Sequence, residues 1–177
     1  MQLLLSGLAE DFPLPVVMVQ HRSRNSENGL CEFLSRSSSL PVTEPEDKEP
    51  VLPSRVYLAP RDYHLLIENG SFALSTDHAV AYARPSIDVL FECVADEYGD
   101  KAIGVILTGA NNDGARGLAK IGLQGGLTVV EDPKSAASQE MPRAALAQTD
   151  ADWVLPLAEI APCLNKLVNA VAAHYGS

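Results

Sequence analysis

The stretch Val16-Val17-Met18-Val19 constrains the fold most: it is continuously apolar and largely β-branched, bounded by Pro15 on one side and Gln20-His21 on the other. A strand with one solvated face alternates apolar and polar residues. An unbroken run of this kind reads instead as a strand covered on both faces, the environment of a parallel sheet. Such a sheet needs helices on both sides and crossover connections between its strands.

The second half of the chain has that pattern. Ile103-Gly104-Val105-Ile106-Leu107, Leu127-Thr128-Val129-Val130 and Trp153-Val154-Leu155 read as strands, and residues 114–121, 142–147 and 157–172 between and after them read as helices. Ser86 can cap a further helix, in which Ile87, Leu90, Phe91, Val94 and Tyr98 keep helical spacing and Gly99 ends the run. His64-Leu65-Leu66-Ile67-Glu68 and Ser71-Phe72-Ala73-Leu74-Ser75 flank Asn69-Gly70, a dipeptide suited to a two-residue turn with positive φ. The expected fold is a doubly wound, mostly parallel α/β sheet with helices on both faces and one antiparallel hairpin. Residues 1–8 resemble the closing turns of a helix and 25–36 are weakly helical. Residues 41–53 carry four prolines and are expected to be irregular. With 177 residues, 46% of them hydrophobic, the chain fits a single domain spanning 1–177.

Thirteen basic against 23 acidic residues give a formal net charge of −10. A surface of that sign repels phosphate backbones and anionic lipids, so neither nucleic acid nor a membrane is expected as partner. No apolar run is long enough to span a bilayer and no signal peptide is recognisable, so a cytoplasmic location is expected. Cys31, Cys93 and Cys163 are odd in number and unpatterned, which fits neither a disulfide framework nor a zinc cage. The first two lie in apolar surroundings, as small buried thiols do.

Two places can carry chemistry. His21 stands just beyond the first buried strand, at the end where open α/β sheets place their ligands. It reads either as a general base or as a loop histidine bonded to a carbonyl. The second place is Leu107-Thr108-Gly109-Ala110-Asn111-Asn112-Asp113-Gly114, between a buried strand and a helix. Asp113 reads either as the N-cap of that helix or as a carboxylate that orients a histidine. The glycines match neither nucleotide-binding fingerprint, and no Lys-Ser or Lys-Thr pair follows.

Five motifs, in order, resemble the catalytic domain of CheB, the chemotaxis-type protein-glutamate methylesterase. They are Pro15-Val16-Val17-Met18-Val19-Gln20-His21; Val56-Tyr57-Leu58-Ala59-Pro60 with His64-Leu65-Leu66; Arg84-Pro85-Ser86-Ile87-Asp88-Val89-Leu90-Phe91; Gly104-Val105-Ile106-Leu107-Thr108-Gly109 with Asp113-Gly114-Ala115; and Met141-Pro142-Arg143-Ala144-Ala145. The resemblance implies a Ser-His-Asp hydrolase that removes methyl groups from glutamyl esters on methylated chemoreceptors and can deamidate glutamines. It needs neither metal nor organic cofactor. It places the base at His21, the orienting carboxylate at Asp113 and a backbone oxyanion donor at Ala110. Arg84 and Arg143 are possible substrate contacts, though a salt bridge or loop anchor suits each equally well. His64 also matches a family position, where a structural hydrogen-bonding role suits it best.

The sequence departs from the family at two points. Ala110-Asn111-Asn112 replaces the usual Met-Gly and variable residue. The family's Gly-x-Ser-x-Gly-Gly turn, which carries the nucleophile, has no counterpart, because Met1 already lies past it. The first strand and the serine are therefore expected upstream, no receiver domain is expected within 1–177, and the 177 residues alone are expected to be inactive. Ser6 lacks the strand-to-helix turn that activates such a serine, and Ser23 and Ser26 are ordinary loop serines. The alternative is a catalytically dead binding or scaffold protein of the same fold.

Overall fold

The computed structural model describes residues 1–21, 29–80 and 82–175, with side chains as far as Asn169. The elements in order are α1 (Gln2–Gly7), β1 (Val16–Met18), α2 (Leu30–Ser35), β2 (Val42–Thr43), β3 (Val56–Leu58), β4 (His64–Glu68), β5 (Ser71–Ser75), α3 (Ile87–Tyr98), β6 (Ile103–Ile106), α4 (Ala115–Leu123), β7 (Leu127–Glu131), α5 (Glu140–Gln148), β8 (Trp153–Leu155) and α6 (Leu157–Tyr175).

The parallel α/β architecture and the antiparallel hairpin are both present, but hydrogen bonding divides the parallel strands into two halves. One has the order β1-β3-β2 and the other β6-β7-β8. Val16, Val17 and Met18 stand level with Val56, Tyr57 and Leu58, and Val105 with Val129. The hairpin β4–β5 pairs Glu68 with Ser71 across Asn69 and Gly70, whose φ values of 50° and 71° are those of the expected turn.

The unbroken apolar runs follow from burial on two sides. Val16, Met18, Val56 and Leu58 join Leu5, Leu8, Phe12 and Ile160 in one core beneath α1 and α6. Their neighbours Val17, Val19, Tyr57 and Ala59 meet Leu65, Phe72 and Leu90 on the opposite face. In the other half, Val105 and Val129 belong to the first core, while Ile106 and Val130 pack against Leu118 and Met141. Each side chain of this size that is fully buried, such as Leu5, Leu58 or Leu118, stabilises the fold by about 1.5–3 kcal/mol.

Among the described residues β1 pairs only with β3 and β6 only with β7, so each of these two strands has an unpaired side. Both edges line a common cavity of about 740 Å³, walled by Val17, Val19, Val105 and Leu107 and reaching His21 and Asn111.

Several expected boundaries moved. Helix α4 ends at Leu123 rather than 121, and α5 starts at Glu140, which puts Pro142 in its first turn where no intrahelical N–H is needed. Of the weakly helical 25–36, the helix is Leu30–Ser35, and residues 22–28 lie outside the described set. Residues 41–53 are not wholly irregular: Val42 and Thr43 pair with β3, because Leu40 and Val42 enter the core. The prolines on either side masked that short signal. Cys93 is the structural thiol expected: it accepts from the Ile67 N–H and donates to the Leu90 carbonyl, and burial pushes it up to about 11. Cys31 donates to the Val42 carbonyl. No helix of the described residues is long and apolar enough to cross a membrane.

Candidate functional site

Parallel strands deliver the loops at their carboxyl ends to one edge of the fold, and the two places singled out in the sequence meet there. His21 follows β1, and Asp113 lies in the loop between β6 and α4. His21 Nε2 and Asp113 Oδ2 are 2.7 Å apart; the carboxylate is fully buried and the imidazole about one quarter exposed.

Gly114 makes this approach possible. Its φ of +94° lies in the left-handed region, and an added Cβ would sit 2.6 Å from Ile87 Cγ2. The chain therefore turns sharply and sets Asp113 under the start of α3. Asp113 does cap a helix, but not the one that follows it: α4 is capped by Gly114 with no side-chain bond. The helix capped is α3. Asp113 Oδ2 accepts from the Ile87 N–H at 2.7 Å, and Oδ1 accepts from the Asp88 N–H at 3.0 Å and from Ser86 Oγ at 2.7 Å. The positive end of the α3 dipole adds to these donors.

Burial is the largest single influence on Asp113 and raises its pKa. The hydrogen bonds from His21, the Asp88 and Ile87 N–H groups and Ser86 together outweigh it and hold the carboxyl below the usual carboxylate range. Asp88, in the first turn of α3, goes the other way: burial raises it, against the Gly117 N–H that it accepts at 2.8 Å.

Ser86 is tied down in turn. Its N–H donates to His64 Nδ1 at 3.3 Å, and His64, 2% exposed, donates from Nε2 to the His78 carbonyl at 3.1 Å. His64 thus has the structural role expected for it.

The other nitrogen of His21 faces Asn111, whose Nδ2 lies 3.1 Å from His21 Nδ1. Asn111 Oδ1 accepts the Asp113 N–H at 3.1 Å, the two-residue side-chain turn common for Asn, and this leaves only its NH₂ for the imidazole. The donors and acceptors then form one consistent chain: Asn111 donates to Nδ1, Nε2–H donates to Asp113, and Ser86 donates to Asp113. The Asn-x-Asp spacing carried the signal for this turn, but nothing in the sequence said that the amide would reach a histidine.

The loop at Ala110 is held from both sides. The Gly109 N–H donates to the Ser138 carbonyl at 3.3 Å, the Met141 N–H to the Gly109 carbonyl at 3.0 Å, and the Ser138 N–H to Thr108 Oγ1 at 2.7 Å. The Ala110 N–H makes no hydrogen bond among the described residues. Arg84 anchors a loop: Nη1 donates to the Thr76 and Asp77 carbonyls at 2.6 and 3.0 Å. Arg143 is exposed on α5. Neither arginine bonds to His21, Asn111 or Asp113 among the described residues. Ser6 Oγ donates within α1 to the Leu3 carbonyl at 3.2 Å, and Ser23 and Ser26 lie outside the described residues.

A family model described as CheB methylesterase matches residues 1–164. The chain is 45% identical to a putative protein-glutamate methylesterase/protein-glutamine glutaminase of Leptospira interrogans, over 94% of this chain and 87% of that protein. It is 41% identical to protein-glutamate methylesterase/protein-glutamine glutaminase 1 of Pseudomonas fluorescens, over 94% of this chain but 50% of that protein, so it spans only half the length of some relatives. The crystal structure of the Thermotoga maritima CheB methylesterase catalytic domain superposes with a TM-score of 0.88 at 35% identity, covering 94% of this chain and 90% of the other.

Proposed function

Because the chain belongs to the CheB methylesterase family, we propose that His21 and Asp113 are the base and orienting carboxylate of a protein-glutamate methylesterase acting on methylated chemoreceptors in the cytoplasm. The observation that carries this reading is the 2.7 Å contact between His21 Nε2 and the buried Asp113. With Nε2–H committed to the carboxylate, Nδ1 is the nitrogen left to take a proton.

The serine is brought by a strand seated in the slot between β1 and β6, whose two unpaired edges and apolar walls suit an extended segment and whose carboxyl end opens at His21. His21 Nδ1 takes the serine proton as the oxygen attacks the glutamyl ester carbonyl. The Ala110 N–H steadies the oxyanion, and the imidazolium is held by Asp113. Collapse expels methanol, which leaves with the proton from Nδ1. Water, deprotonated by the same nitrogen, then hydrolyses the acyl-serine to free glutamate. A glutamine side chain entering the same cycle leaves ammonia instead of methanol. Of the two arginines, Arg143 is the more accessible to receptor carboxylates, and Arg84 is held on the Thr76 and Asp77 carbonyls.

The test is methanol release from a methylated receptor peptide, with a serine-bearing apolar strand fused ahead of Met1. His21→Ala and Asp113→Ala are each expected to lower kcat by about 10³–10⁴. Activity within tenfold of the parent in either variant overturns the assignment.

A further inference from the structure

The amide of Asn111 sits where the reading above needs an empty lone pair. A neutral imidazole nitrogen without a proton has a single in-plane lone pair, and it takes one hydrogen-bond donor well. At His21 that nitrogen is Nδ1, because Asp113 holds the other, and Asn111 Nδ2 is already on it at 3.1 Å. The amide cannot turn over to offer its oxygen, since Oδ1 is held by the Asp113 N–H. The clamp is built from the same three-residue turn as the carboxylate.

We propose that Asn111 gates the base: its side-chain amide occupies His21 Nδ1 at rest and must swing away before an incoming hydroxyl can donate to that nitrogen. The gate rests on the assignment of His21 as base. It adds a competition that the triad alone does not contain. A donor arriving through the slot displaces an amide already in place, rather than water. Protonation of Nδ1 expels the amide as well, because two donors then face each other.

The experiment reads access to Nδ1 directly and needs no turnover: peptide-resolved carbethoxylation of the 177-residue chain at neutral pH by diethylpyrocarbonate, whose carbonyl carbon is attacked by the lone pair of the unprotonated imidazole nitrogen. In Asn111→Ala and Asn111→Gly the rate at His21 is expected to rise about three- to tenfold, the factor matching loss of one ordinary net hydrogen bond. His64 is buried and bonded on both ring nitrogens, so it should stay unreactive and serves as the internal measure of loosening. A His21 rate within twofold of wild type, with His64 unchanged, overturns the gate. Should His64 become reactive in both variants, the unsubstituted protein decides by NMR. The Asn111 side-chain amide resonances are expected to shift in step with protonation of the His21 ring, and amide resonances that stay still overturn the proposal. Failure in either arm leaves the methylesterase reading standing, because that reading is scored by methanol release in His21 and Asp113 variants.

Discussion

Ser86 Oγ donates to Asp113 Oδ1 at 2.7 Å while also accepting the Val89 N–H at 3.4 Å, so one hydroxyl both caps α3 and supports the carboxylate that faces His21. Ser86 is fully buried, and its backbone N–H is held by His64. A residue that ties a helix start to a site carboxylate joins the stability of the fold to the geometry of the site.

Ser86→Ala should therefore cost more than an exposed cap. Loss of the cap is worth about 1 kcal/mol, and a buried carboxylate oxygen deprived of one donor adds about 1–3 kcal/mol. The urea midpoint should fall accordingly with the slope unchanged. A loss under about 0.5 kcal/mol, the range of ordinary surface substitutions, would show that Asp113 does not depend on this hydroxyl.

The lowered pKa of Asp113 fixes the sign of an acid effect. A carboxyl whose folded value lies below its ordinary 3.8 contributes stability that is complete above that value and is lost as pH falls through the folded one. Asp88, which burial raises, works the opposite way, and its contribution is lost as pH rises through its folded value. Asp113→Asn should lower stability at neutral pH by on the order of 3 kcal/mol, by putting an amide donor either against the Ile87 N–H and His21 or against the Asp88 N–H and Ser86. It should also flatten the acid limb of the stability profile. An acid limb as steep as that of wild type would mean that other groups dominate it.

How much of this could be read in advance follows period and punctuation. Val16 to Val19 announced a strand buried on two sides because every residue in it meets one core or the other, and Asn69-Gly70 announced its turn because only such residues take positive φ without strain. Asp113 left two readings open, N-cap or partner of a histidine, and the structure joins them: the carboxylate caps α3, which the sequence places 25 residues earlier, while touching His21. No local pattern encodes a cap supplied from another loop. Asn111 shows the same limit, since its short-range turn was visible in the spacing but its contact with a residue 90 positions away depends on the packing of two strands.

Gly114→Ala tests the turn that sets Asp113 in place. A residue other than glycine at φ +94° carries strain of about 1–3 kcal/mol. The new methyl group would also lie 2.6 Å from Ile87 and 2.7 Å from Ile106, overpacking worth a further ~1–3 kcal/mol. The variant should unfold well below wild type and lose the His21–Asp113 contact. A midpoint equal to that of wild type would show that the loop has another conformation available at no cost.

The slot between β1 and β6 makes the last prediction. Two unpaired parallel edges beside an apolar cavity are a template for another strand, and exposed edges of this kind pair with whatever extended segment is at hand. Residues 1–177 should self-associate as concentration rises, and should do so less when a serine-bearing apolar strand fills the slot. They should also release no methanol from a methylated receptor peptide when the slot is unfilled. Of the serines discussed, Ser6 is turned into α1 and Ser86 donates to Asp113, and neither bonds to His21 Nδ1. Light scattering across a concentration series and the methanol assay read the two halves separately. A monodisperse monomer throughout would show that the edges are protected. Robust ester hydrolysis by residues 1–177 alone, lost in His21→Ala, would place the nucleophile within the chain, with Ser6, Ser23 and Ser26 the first to substitute.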